Sequence, residues 1–196
     1  MTTARKVILS LLVLGLTGVA VGAVTWSAFY GTTQSSGNSF AAGTIAIGDN
    51  DAGSALLTLS NARPGDSSTR CIKVSYTGSL AASVRMYAAT SGTLASHVDL
   101  VVTRGTDSSP SFPSCTGFSP DATNYVGAGA GVVYSGLLSA FPTSGTATSE
   151  PPGAPATWSS PDAHSYKFTA TLRTDAPASA QGVSATADFT WEARSQ

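Results

Sequence analysis

Side chains able to do chemistry are sparse in this chain. Histidine occurs only as His97 and His164, and glutamate only as Glu150 and Glu192. A zinc hydrolase needs three protein ligands and a general base. The two histidines are far apart and no HExxH is present. Asp99 lies two residues from His97, and Asp162 two from His164. On a strand such neighbours share a face and can touch. A touching pair is still not a hydrolase site, and each His reads as a surface or strand-end residue. Serine is abundant, but no G-x-S-x-G elbow singles out a nucleophile. Glycoside hydrolysis needs two carboxylates at a sugar groove, and no Asp/Glu pair here is flanked by an aromatic cluster. Asp49, Asn50 and Asp51 offer oxygen ligands, yet an EF-type loop also needs its Gly and closing Glu, so the trio reads as a turn. Gly127-Ala128-Gly129-Ala130-Gly131 lacks the Lys-Ser/Thr ending of a phosphate loop and reads as a flexible turn. Trp158, in a long loop, is weak evidence for sugar stacking, whereas Trp191 alternates with core positions. The residues predict no enzyme, no metal site and no cofactor.

Cys71 and Cys115 are the only cysteines. Two Cys without CxxC spacing do not supply four zinc ligands. Outside the cell an even pair oxidises, so a disulfide is expected. The N-terminus supports that location. Arg5 and Lys6 precede an apolar and small run from Val7 to Val24, followed by Ser27 and Ala28. Basic, apolar, then small is the order of a signal peptide, expected to be a helix over 1–27. The run is long enough to serve as a membrane anchor if it stays uncleaved. Gly15, Gly18 and Gly22 make it a poor stop-transfer helix, which favours cleavage. Val21-Gly22-Ala23, Thr25-Trp26-Ser27 and Trp26-Ser27-Ala28 are the candidate cut sites.

These few residues must be held by the rest of the chain, and its composition indicates how. Charged residues are 11% and the net charge is -1, with no basic run beyond Arg5 and Lys6. Nucleic-acid binding therefore lacks its electrostatic footprint. Long helices need charged and Leu-rich faces, while Ser, Thr, Gly and Ala suit short strands and polar turns. Alternation predicts strands at Thr44–Ile47, Ala55–Leu59, Thr69–Tyr76, Ser83–Ala88, Val98–Arg104, Tyr166–Leu172 and Val183–Trp191. Val132–Leu138 reads as a strand or a helical turn, and Pro142–Pro161 as a Pro/Ser/Thr/Gly-rich surface loop. Without helical crossovers the strands must pair antiparallel, so an all-β sandwich or barrel is expected.

Three blocks give this reading a family. The first is Thr25-Trp26-Ser27-Ala28-Phe29 followed by Gly37-Asn38-Ser39-Phe40-Ala41-Ala42-Gly43-Thr44-Ile45. The second is Leu59-Ser60-Asn61-Ala62-Arg63-Pro64-Gly65-Asp66 with Gly78-Ser79-Leu80-Ala81, and the third is Phe189-Thr190-Trp191-Glu192-Ala193. In order and spacing they resemble the TasA/camelysin family of secreted bacterial matrix proteins. The resemblance implies a jelly-roll sandwich over 44–196 and cleavage by a signal peptidase near Ser27 and Ala28. It also implies self-assembly into extracellular filaments of the biofilm matrix. Residues 28–43 then form an extension lent to a neighbouring subunit, with Phe29, Tyr30 and Phe40 as its anchors. A further matrix protein is an expected accessory partner. The competing expectations are a monomeric exported module that binds cell-wall glycan, and a camelysin-like metallopeptidase.

Overall fold

The computed structural model describes residues 43–54, 56–57, 62–106, 111–153 and 157–196. The expected signal segment, cleavage region and donor anchors all lie outside the described residues. Among the described residues ten strands follow in chain order: β1 Ile47–Asp49, β2 Ser67–Tyr76, β3 Ala82–Ser91, β4 Val98–Thr106, β5 Ser119–Pro120, β6 Val132–Leu137, β7 Thr148–Ser149, β8 Thr157–Trp158, β9 Ala163–Leu172 and β10 Thr186–Ser195. Among the described residues no α-helix occurs. The strands build two antiparallel sheets. One has the order β1-β2-β9-β4-β5, with β6 also on β4; the other has the order β10-β3-β7, with β8 also on β3. The all-β sandwich read from alternation is therefore the fold.

Two-residue periodicity explains which side chains meet. Ile72, Val74 and Tyr76 of β2, Val84, Met86 and Ala88 of β3, and Leu100 and Val102 of β4 are all buried. Tyr166, Phe168, Ala170 and Leu172 of β9 complete the buried face. Aromatic rings bridge the sheets: Phe168 meets Phe189 at 4.6 Å and Tyr166 meets Trp191 at 5.2 Å between centroids. Such pairs contribute about 0.5–1.5 kcal/mol each beyond area burial.

Several segments depart from the sequence reading, each for a local reason. The first strand begins at Ile47 rather than Thr44, because the turn after β2 captures Thr44. The Thr44 amide donates to Ser79 Oγ, and its carbonyl accepts from the Leu80 amide. Of the strand expected over Ala55–Leu59, Leu56 and Leu57 are described and lie in no strand. The last strand starts at Thr186, not Val183, and Val183 is exposed. Gly92 sets that limit. Its φ is 87°, and a Cβ there would sit 2.2 Å from the Ser184 carbonyl oxygen. The chain leaves β3 at that point, so the ladder opens at the pair Thr186 and Ser91.

The glycine run is more ordered than a flexible turn. The Gly131 carbonyl accepts from the Arg104 amide at 2.7 Å, and the Gly131 amide donates to Thr123. Val132–Leu138 resolves into β6 followed by a single 3-10 turn, Leu138–Ala140. The stretch 142–161 is not simply a surface loop. It carries β7 and β8 along β3 and buries Glu150 and Trp158 almost completely. Trp158 has too much apolar area to leave in water, and its indole N–H donates to the Glu150 carbonyl at 3.1 Å. A sugar-stacking role for Trp158 is thereby excluded in this conformation.

Candidate functional site

Where sequence placed possible chemistry, the structure spends the side chains on the fold. His97 ends a 3-10 turn before β4, while His164 lies on β9 with its ring edge against Trp158 at 4.7 Å. Their aspartates have other work: Asp99 lies 3.6 Å from Arg173, and Asp162 accepts the Ser159 amide at 2.7 Å. Asp49 and Asp51 accept amides of their own turn, and Asn50 Oδ1 accepts the Lys73 amide at 2.9 Å. Among the described residues no three His, Cys, Asp or Glu side chains come together as metal ligands.

Cys71 and Cys115 are joined, as expected. The bond lays the segment around Pro113 along the outer edge of β2, where the Pro113 carbonyl accepts the Cys71 amide at 3.1 Å. Asn50 covers Lys73 on the same edge, and β1 pairs with residues 74–76. An edge strand with unpaired amides recruits other chains, and these contacts close β2 against that from Cys71 to Tyr76.

β10 is built differently. It pairs along all ten of its residues with β3. On its other side, no strand among the described residues pairs with it. Its inward side chains Ala187, Phe189, Trp191 and Ala193, with Ala185 just before the strand, pack on the core but remain only half covered. Beside them runs a groove of about 540 Å³, floored by Leu56, Ile72 and Ala170 and flanked by Phe189 and Trp191. A smaller recess of about 150 Å³ continues from it between β1 and β10. Asp49, Asp51 and Asp188 stand among the groove's lining residues. Burial raises the Asp49 carboxyl above the ordinary aspartate range, with the Asp51 amide opposing and the Asp51 carboxylate adding to the rise. A groove of mixed polar and apolar lining beside a strand edge that no described strand pairs is suited to an extended chain that supplies both hydrogen bonds and side chains. Alternation showed β10 in the sequence, but the groove is a product of sheet order and left no local signal.

No helix among the described residues is long and apolar enough to cross a membrane. No curated protein matches the chain. Residues 4–97 match the family model described as camelysin metallo-endopeptidase. That name implies a metal, and the donor set does not fit one: two histidines on separate elements leave a zinc peptidase short of ligands. Over residues 4–97, just under half its length, the chain matches the camelysin family, and the two sequence blocks at 25–45 and 59–81 that pointed to TasA/camelysin lie inside that match.

Proposed function

We propose that the protein is an exported, non-catalytic subunit of an extracellular filament, and that residues 28–43 of one copy fill the β10 groove of the next. The observation that carries this reading is the half-covered inner face of β10 beside an edge that no strand among the described residues pairs, in a sandwich whose β2 edge is covered from Cys71 to Tyr76. Lengths agree. Ten paired residues span about 34 Å at the rise of an antiparallel strand, and thirteen residues from Ala28 to Phe40 reach that far when extended. Chemistry agrees as well. Phe29, Tyr30 and Phe40 are large enough to cover Phe189 and Trp191 in the groove, while the Ser, Thr and Gly between them gain little by packing alone. Each copy would give with one surface and accept with another. Such a head-to-tail contact does not close, so it grows as a fibre.

Deletion of residues 28–40 tests the reading. The shortened protein is expected to keep its disulfide and its sandwich and to stay monomeric in sedimentation and negative-stain imaging. Unchanged filaments from the deletion variant would refute the donor-strand assembly.

A further inference from the structure

A buried acid sits at the opposite side of the second sheet, away from the β10 groove. Glu150 follows β7 and has no solvent exposure. Its amide donates to Val84 of β3 at 2.8 Å, continuing the short ladder in which Ser149 faces Arg85 and Thr148 faces Met86. Neither carboxyl oxygen has an aligned hydrogen-bond partner. Three groups close on it from the facing sheet. Arg104 of β4 and Tyr166 of β9 favour its charged form, and Asp121 beyond β5 opposes it. His164 of β9, itself held toward its neutral form by burial, packs on Trp158 of β8, and Trp191 of β10 stacks beside Tyr166.

Arg104 is the only cation in this set, and it is already engaged. Its Nε lies 2.9 Å from Asp121 Oδ2, which also accepts the Tyr125 hydroxyl at 2.8 Å. One guanidinium between two carboxylates leaves Glu150 without a counter-ion of its own. Burial in that position shifts the carboxyl toward its neutral form relative to one in water.

We propose that Glu150 is a proton-operated latch: protonated, it holds residues 148–150 on the edge of β3, and ionised, it releases them. The backbone ties to β3 are few, two residues of β7 and the Glu150 amide, and opening must also break the bond from the Trp158 indole to the Glu150 carbonyl. Release uncovers Val84 to Met86 on the second edge of the four-stranded sheet. The sign follows from the burial. Glu150 is pushed up to about 7, mainly by desolvation, whereas a released Glu150 titrates near 4.5. The closed form therefore binds the proton more tightly, so closure is strongest in acid and weakens as pH rises from about 4.5 to about 7. Above that range the loss is complete. Between pH 5.5 and 8.5 the open population grows about thirtyfold.

Hydrogen exchange on the purified protein, corrected for the intrinsic pH dependence of exchange, reads this directly. The Glu150 amide should lose about thirtyfold in protection from pH 5.5 to 8.5, while ladder amides of β2 and β9 keep theirs. Glu150→Gln should remove that pH dependence. Asp121→Asn, which frees Arg104 to pair with Glu150, should shrink it and move its midpoint to lower pH. A Glu150 amide with pH-independent protection would overturn the latch. So would a pH dependence that survives in Glu150→Gln, or one that Asp121→Asn leaves untouched.

Discussion

Under the proposed strand donation, Ala187→Lys is expected to yield a folded subunit that does not assemble. Ala187 points inward from β10, is half covered, and lines the groove. In the isolated subunit a lysine there can run its stem along the groove and keep its ammonium in water. The melting temperature should then change by no more than about 3 °C, as for a surface substitution. A donated strand would have to displace the lysine stem from the groove and cover an ammonium that has only Asp49, Asp51 and Asp188 of the groove lining to pair with. Losing that packing and desolvating the charge together cost several kcal/mol, and each 1.4 kcal/mol is a factor of about ten in affinity. Subunit docking should weaken by more than about a hundredfold. Inward lysines on edge strands block strand addition in the same way. Sedimentation and negative-stain imaging, with a melt by circular dichroism, separate loss of assembly from loss of fold. Filaments at the normal yield would mean that β10 is not the accepting edge.

Removing the disulfide should have the largest effect on stability. Cys71 and Cys115 are separated by 44 residues. Closing a loop of that size restricts the unfolded chain by about 4 kcal/mol in the chain-entropy model. For a domain of this size that corresponds to roughly 10 °C in melting temperature. Cys71→Ser with Cys115→Ser should show this drop in a calorimetric scan. Cys71 is buried, so the introduced hydroxyl adds to the loss. A second consequence is local. The bond holds Pro113 over the Cys71 amide, so its loss should speed hydrogen exchange along the outer edge of β2. A scan that moves by less than about 2 °C would show that the segment is held by other contacts.

The long strands were legible because one face of each is buried and the other is wet. Tyr166, Phe168, Ala170 and Leu172 are buried while Lys167, Thr169 and Thr171 are only half covered, and that contrast is what alternation detects. The short strands β5, β7 and β8, two residues each, carry no period and were invisible. Their positions depend on partners far away in sequence, such as Ala82 opposite Trp158. The disulfide was readable from cysteine number and export signals, because only two cysteines exist. The groove and the Glu150 cluster were not readable. Both depend on which strand lies opposite which, and Glu150 in a Pro-rich stretch looked like an ordinary surface residue until β3, β4 and β9 enclosed it. Trp158 was misplaced for the same reason.

The proposed filament depends on a strand from one subunit completing the second sheet of another at β10. Cryo-electron microscopy of the protein collected outside the cell decides it. The expected map is a fibre in which residues 28–43 of each subunit lie beside Thr186–Ser195 of its neighbour, with Phe29, Tyr30 or Phe40 in the groove. A map in which β10 is flanked by its own chain or by solvent, or a product that is monomeric throughout, would contradict it.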